Sequence, residues 1–396
     1  MDKINFFPDD LNIQNQKIIL RLDLNVPLKD KIIIDDTRIR LCLPFLKKLI
    51  DKKAKIIIIS HLGRPKGVRD PYLSLTPVYK YLKKKLQTDV FFFTGKFDNE
   101  VKDKLSHLKE GDVLLVENIR YFKEETDDDE NFAKKLASLG DIFINDAFSC
   151  SHRKQSSIHK ITKFVSKSFA GPLLKKEIVS INLIIKTKKE PITCIIGGSK
   201  ISTKINLITS LIEKINNLII VGAMANNFFI YKNFKVGKSV IENDTNKIIK
   251  KIYDKALKNN CKIIIPEDCV VGTSFEGEGK NKKLSQIQQN EIILDIGSDT
   301  IKKIKSIIDQ SKTILWNGPA GYCENKNFLK GTISIAENIS KNTTERTLIS
   351  VLGGGDTIAA INKSKNKLSF SHLSTAGGAF LEYLEGKDLP GLSVLK

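Results

Sequence analysis

Cysteine is sparse and unpaired in this chain: Cys42, Cys150, Cys194, Cys261, Cys269 and Cys323 are scattered over 396 residues without a CxxC pair. Such spacing supports neither a disulfide framework nor a thiolate zinc site, and a reducing compartment fits it. No apolar run approaches the length of a bilayer span. The opening stretch MDKINFFPDD is acidic and short of apolar residues, so no secretory leader is expected and a soluble, cytoplasmic protein is. Acidic residues are the scarcer sign, 45 against 65 Lys and Arg, for a net charge of +20. That charge would suit nucleic acid, an anionic surface or a phosphorylated substrate. The lysines recur almost everywhere, as at Lys83, Lys84, Lys85, Lys302, Lys303 and Lys305, which reads as compositional bias rather than a binding stripe. Aromatic and basic residues do not interleave as in a nucleic-acid module, and neither nucleic acid nor membrane is expected as a partner. The length favours two domains of roughly 200 residues.

The chain is organised around residues 351–360, VLGGGDTIAA. An apolar strand breaks into Gly353, Gly354 and Gly355, and Asp356 and Thr357 open a helix. Such a turn can aim backbone N–H groups at an anion, with Asp356 beside the phosphates as a Mg2+ ligand. A tight turn capped by Asp356 explains the same residues.

In the first half, residues 17–28 read as a strand whose period of two puts Arg21, Asp23 and Asn25 on one face. Arg38 stands at a helix start, against the dipole, as though answering to a ligand. Further strands end in His61, Leu62, Gly63 and Arg64, in Glu117 to Arg120, and in Asn145 and Asp146 with Arg153 soon after. Ligands of open α/β sheets lie outside such strand ends. Arg21, Arg38, Arg64, Arg120 and Arg153 thus converge on one rim, which suits a small ligand with several negative charges.

Residues 169–189 read as an interdomain helix after Gly171 and Pro172. A second α/β domain follows, its first strand ending in Gly197, Gly198, Ser199 and Lys200. Residues 201–215 read as a helix carrying Lys204, one turn from Lys200, either a solvated pair or a phosphate contact. Residues 276–283 read as a polar loop. Another strand ends in Asn317, Gly318 and Pro319, with Trp316 as core and Glu324 as either a loop acid or a partner for a ribose diol. Ser374 to Gly378 form a last small-residue turn before a helix.

Together these stretches resemble the phosphoglycerate kinase family along nearly the whole chain. The resemblance rests on RLDLNVP (21–27), DDTRI (35–39), HLGRP (61–65), ENIR (117–120), SHR (151–153), GGSKISTK (197–204), WNGPAG (316–321), GGGDT (353–357) and GGAFLEYLEGKDLPGL (377–392). It implies two Rossmann-like three-layer αβα domains, their parallel sheets facing each other across a hinged cleft. The boundaries it suggests are 1–168, an interdomain helix 169–189, and 190–375, with a tail 376–396 packing back on the first domain.

By the same resemblance Arg21, Asp23, Asn25, Arg38, His61, Leu62, Gly63, Arg64, Arg120 and Arg153 look like a 3-phosphoglycerate site. Gly198, Lys200, Lys204, Asn317, Pro319, Glu324, Gly354, Gly355, Asp356 and Thr357 look like the ADP or ATP side, with Asp356 near Mg2+. Arg38, Lys204, Gly377 and Gly378 take the catalytic roles. The implied reaction is reversible Mg2+-dependent transfer of a phosphoryl group from 1,3-bisphosphoglycerate to ADP by a monomer whose domains close during transfer. Ser149, Cys150, Ser151, Thr203, Val221, Ala223 and Ala376 depart from the family pattern without touching the charged set. A nicotinamide-dependent oxidoreductase would share the fold, but no GxGxxG turn follows the first strand.

Overall fold

Strand propensity is concentrated in short isoleucine- and valine-rich runs, as expected of strands buried on both faces. The computed structural model describes residues 4–186 and 189–396. Its chain forms two compact units, one reaching to Ile178 and including Asp388–Lys396, the other Val179–Lys387.

In the first unit, β1 (Lys17–Arg21) is followed by a small antiparallel pair, β2 (Leu28–Lys29) and β3 (Ile32–Ile33). Then come β4 (Lys55–Ile59), β5 (Val90–Phe93), β6 (Val113–Val116), β7 (Ile142–Asn145) and β8 (Lys167–Ala170). Among the described residues these make a six-stranded parallel sheet in the order β5-β6-β4-β1-β7-β8. Alternation of side chains splits the core into two layers: Ile18, Leu20, Ile56 and Ile58 pack on one face, Ile19, Ile57 and Ile59 on the other. The chain leaves β1 toward β4 and returns on the opposite side at β7, so a crevice opens at the carboxyl end of β1. Arg21 stands there in register with Ile59 and Asn145.

The second unit repeats the device. Strands β9 (Ile192–Ile196), β10 (Asn217–Ile220) and β11 (Lys262–Ile264) run to one side. An antiparallel sheet of β12 (Asp268–Gly272), β13 (Lys280–Lys283) and β14 (Ile292–Ile296) intervenes, so part of the loop expected over 276–283 is a strand. Strands β15 (Thr313–Asn317), β16 (Ile349–Gly353) and β17 (His372–Ser374) then complete the parallel order β11-β10-β9-β15-β16-β17. Ile196, Asn317, Gly353 and Ser374 form one transverse row, which brings the turns that follow them side by side.

Three expectations change in detail. The strand expected over 17–28 stops at Arg21: Leu22 N–H makes the last ladder bond, to Ile59 O, and the chain is irregular from there through Val26. The helix near 169–189 spans Pro172–Lys186, and the boundary between the units falls inside it, at Ile178 and Val179; Thr187 and Lys188 lie outside the described residues. Of the tail 376–396, only Asp388–Lys396 lies with the first unit, where Leu395 accepts from Asn5 N and Gly391 donates to Ser151 O. The helix Gly377–Leu384 belongs to the second, its Phe380 ring filling the space a side chain at Gly353 would take.

Candidate active site

The crevice of the first unit is lined by a connected polar set. Asp23 Oδ2 accepts from Arg38 at 2.6 Å and from the Ser149 hydroxyl, and its Oδ1 accepts from Asn25 N at 3.1 Å. Burial opposes ionisation of Asp23, but the Arg38 guanidinium and these donors outweigh it and hold the carboxyl at about 2. Arg38 is the second residue of the helix Thr37–Asp51, and Asp23 supplies the charge that its position at a positive dipole end lacks. Asn25 Oδ1 accepts from Gly63 N at 2.9 Å, tying the loops after β1 and β4.

His61 is buried beside Arg21, and Arg120 is buried against the same loop, donating to Gly63 O at 2.8 Å. Burial, with the nearby guanidinium of Arg21, pushes the His61 imidazole well below its usual value, so the ring is neutral. Burial likewise lowers Arg120 to about 10. Its Nε finds no acceptor among the described residues, which is what a bound anion would supply. Arg153 donates to His152 Nε2 at 3.2 Å, and Arg64 is exposed with no polar contact among the described residues.

Two assignments are revised here. Arg21 does not share a face with Asp23 and Asn25: it is fully buried, donating to Ser157 Oγ, to Leu22 O and to His61 Nδ1, so it supports the rim from behind. The Leu62 side chain lies in the core, and only its backbone faces the polar set, its carbonyl accepting from Asn118 Nδ2 at 2.7 Å. Asn118, Glu117 and Ser149 are supporting residues whose roles the sequence left unread. Glu117 holds Ser74 and Leu75 N, and Asn118 also accepts from Arg120 N, so the ENIR stretch at the end of β6 was their signal.

In the second unit Lys204 donates to Gly197 O at 2.6 Å and to Asn317 Oδ1 at 2.7 Å. Burial lowers its ammonium to about 8. The helix expected from 201 begins only at Ile205: residues 201–204 form turns, with Lys204 N donating to Ile201 O at 3.0 Å, and Glu242 accepts from the N–H groups of Ile201 and Ser202, at 2.5 and 3.2 Å, and from the Ser202 hydroxyl. Lys200 and Lys204 therefore do not share a helical face: Lys200 is exposed and Lys204 turns inward. Glu242 had no motif to mark it.

Asn317 also donates to Gly353 O at 2.7 Å, so one side chain links the turns after β9, β15 and β16. Those turns approach closely: a side chain at Gly197 would meet Pro319 O at 2.2 Å. Gly354, with φ +106°, caps the helix Gly355–Ile361, and a side chain at Gly355 would meet nothing within 4 Å. The Thr357 hydroxyl is spent internally, accepting from Gly318 N at 2.8 Å and donating to Gly353 O, so it braces the turns instead of facing a ligand. Trp316 is core, its indole N–H paired with Gly318 O. Ala376 has φ −103°, which alanine adopts without strain, and precedes Gly377, beside which there is open space.

A cavity of about 450 Å³ borders these turns, with Gly198, Pro319, Tyr322, Glu324 and Asp356 among its lining residues. Its volume is that of a small-molecule site. The Asp356 carboxylate has no hydrogen-bond partner, and no group of three or more metal-ligating side chains occurs, among the described residues. A single open carboxylate fits Mg2+ carried in on phosphates and water, and does not fit a cage of protein ligands. No helix among the described residues is long and apolar enough to cross a membrane.

The family model described as phosphoglycerate kinase matches residues 8–387. The chain is similar to the phosphoglycerate kinase of Wolbachia pipientis wMel, 44% identical with 98% of each chain covered. It is 45% identical to that of Buchnera aphidicola subsp. Schizaphis graminum, covering 98% of this chain and 97% of the relative. Among solved structures, phosphoglycerate kinase from Coxiella burnetii superposes with a TM-score of 0.86 at 36% identity, covering 98% of this chain and 97% of that one. The enzyme from Pyrococcus horikoshii OT3 gives 0.84 at 29%, with 98% of each covered. An arginine-rimmed crevice on one α/β unit, a glycine-walled cavity on the other and this extent of similarity lead to one assignment: the chain belongs to the phosphoglycerate kinase family.

Proposed function

We infer that the two strand-end sites divide the family's reaction between them. That reaction is reversible phosphoryl transfer between 1,3-bisphosphoglycerate and ADP, giving 3-phosphoglycerate and ATP. A β-phosphate oxygen of ADP attacks the 1-phosphoryl phosphorus in line, and the bond to the acyl oxygen breaks to leave a carboxylate. That carboxylate is ionised at neutral pH, so no general base is needed in the reverse direction. Such transfer needs positioning and charge compensation more than a covalent nucleophile.

The acid substrate is assigned to Asp23, Asn25, His61, Gly63, Arg64, Arg120 and Arg153. The neutral His61 and the unmatched Arg120 donor support that reading. Arg38, held in place by Asp23, and Lys204 would neutralise the transferring group, with N–H donors at Gly377 and Gly378 beside them. Gly198, Lys200, Asn317, Pro319, Glu324, Gly354 and Gly355 are assigned to the nucleotide, and Asp356 would hold Mg2+ directly or through water. Bound there, the ion would offset charge on the phosphate oxygens.

The observation that carries the assignment is the position of Lys204: an ammonium locked between Gly197 O and Asn317 Oδ1 in the row of glycine turns. A coupled assay for ATP-dependent phosphorylation of 3-phosphoglycerate tests the reading. Absence of turnover with Mg2+ present would sink it.

A further inference from the structure

Behind the rim of the first unit lies a buried line of hydrogen bonds that no step above uses. Glu125, Ser157 and Arg21 are wholly buried, and His61 is 3% exposed. They come from four places in the sequence: the short helix Lys123–Thr126, the segment after Arg153, the end of β1 and the turn after β4. Glu125 Oε2 accepts from Ser157 N at 2.8 Å, and its Oε1 accepts from Ser157 Oγ at 2.6 Å. Ser157 Oγ in turn accepts from Arg21 Nε at 2.9 Å, and the far end of the guanidinium reaches His61 Nδ1 at 3.3 Å.

The direction of the last contact is decided by chemistry. A guanidinium has five N–H donors and no lone pair, so His61 Nδ1 must present its own. A neutral imidazole that accepts at Nδ1 carries its proton on Nε2. Among the described residues one other hydrogen-bonding group stands at Nδ1, the Cys150 thiol at 3.8 Å, which lies within reach as an acceptor if Nδ1 were protonated instead. The guanidinium is also held at Nη1 by the Leu22 carbonyl at 2.6 Å, and its Nη2 has the Cys150 sulfur at 4.0 Å as a second acceptor beside the imidazole. The Glu125 carboxylate, acting through the serine hydroxyl, anchors Nε; with Nε and Nη1 both held, the plane of the guanidinium is set and Nη2 is aimed at the imidazole rather than at the thiol.

We propose that Glu125 is a positioning residue: through Ser157 and Arg21 it holds His61 as the Nε2–H tautomer, which keeps a hydrogen-bond donor available to the acid substrate. The proposal rests on the assignment of His61 to the acid-binding rim, and its first test does not depend on that assignment. Long-range 1H–15N spectra of the ligand-free, full-length protein report the tautomer directly, and with five histidines in the chain the His61 signal is identified by its loss in His61→Gln. An Nε2–H ring is expected; an Nδ1–H ring or an imidazolium in the unaltered protein overturns the proposal.

Glu125→Gln and Ser157→Ala should each shift the His61 signal toward Nδ1–H. Each should raise the KM for 3-phosphoglycerate about tenfold, the order of one hydrogen bond to a charged group, while the nucleotide KM stays within about twofold. Ser157→Thr keeps the hydroxyl and should restore both. Should Glu125→Gln fail to fold, Ser157→Ala decides the matter, since it leaves the buried charges in place. An unmoved tautomer, or equal rises in both KM values, refutes the relay. If the tautomer moves as expected but His61→Gln leaves the KM for 3-phosphoglycerate unchanged, the rim assignment of His61 fails.

Discussion

Lys204 donates to Asn317 Oδ1 at 2.7 Å, and Asn317 passes the link on to Gly353 O, so the ammonium is fixed to two separate strand ends. Burial has already lowered its pKa to about 8 from an ordinary 10.5. The charged form therefore prevails below that value and is lost as pH rises through it. In the free enzyme kcat/KM for the nucleotide should fall about tenfold per pH unit above about 8. Lys204→Ala should remove this limb and lower kcat by about two to three orders of magnitude, with little change in nucleotide affinity. A profile flat to pH 10, or unchanged turnover in the variant, would refute the catalytic role.

The pairing of Arg38 with Asp23 gives a second prediction. Because the Asp23 carboxyl sits at about 2 in the folded chain against an ordinary 3.8, its stabilisation is present above pH 3.8 and is lost as pH falls from there toward 2. Asp23→Asn should cost on the order of 2 kcal/mol at pH 7. The gap between variant and parent should narrow below pH 4, in urea titrations at both pH values. Arg38→Ala should reduce kcat by roughly a hundredfold or more while nucleotide binding, followed by calorimetry, is retained.

Neighbouring glycines should respond differently to the same methyl group. Gly354→Ala places a side chain at φ +106° and 2.8 Å from Asn317 Nδ2, so it should lower stability by about 1–3 kcal/mol as well as weaken nucleotide binding. Gly355→Ala meets nothing within 4 Å and should leave the ligand-free melting temperature unchanged, yet raise the nucleotide KM by crowding the phosphates. Equal destabilisation in the two variants would show that the turn is merely structural.

Chelation of Mg2+ should stop turnover and leave 3-phosphoglycerate binding intact, because the acid rim relies on arginines and a neutral histidine. Asp356→Asn should raise the Mg2+ concentration needed for half-maximal rate by about tenfold, with the ligand-free fold unaltered, since the carboxylate bonds to no described residue. A Mg2+ requirement identical to the parent's would remove Asp356 from the metal side.

Period and punctuation alone located most of the strands whose ends carry the site, and the glycine turns after them, because buried parallel strands leave continuous apolar runs and ligands gather where those runs stop; the strands at Val90–Phe93, Lys167–Ala170, Asp268–Gly272 and Lys280–Lys283, shorter or less continuously apolar, were not read. The ordered motifs carried the family. Local spacing could not tell which way a side chain turns once the strand or helix has ended. Arg21 lies two residues before Asp23, yet it goes inward because Ser157, His61 and the carbonyl of Leu22 wait behind the sheet. Lys200 and Lys204 have helical spacing, yet residues 201–204 form turns tied down by Glu242, some 40 residues on, and the helix starts only after them. By sequence alone the GGGDT stretch at 353–357 fits an anion turn and a capped turn alike. Asn317, Thr357 and the ring of Phe380 resolve why its glycines differ, and they leave Asp356 open at the cavity. Asn317, Phe380, Ser157, His61 and Glu242 are distant in sequence from the groups they meet, so only tertiary packing, by supplying or withholding a hydrogen-bond partner to each buried polar group, decided which charged residues stay open at the strand ends and which turn inward to brace them.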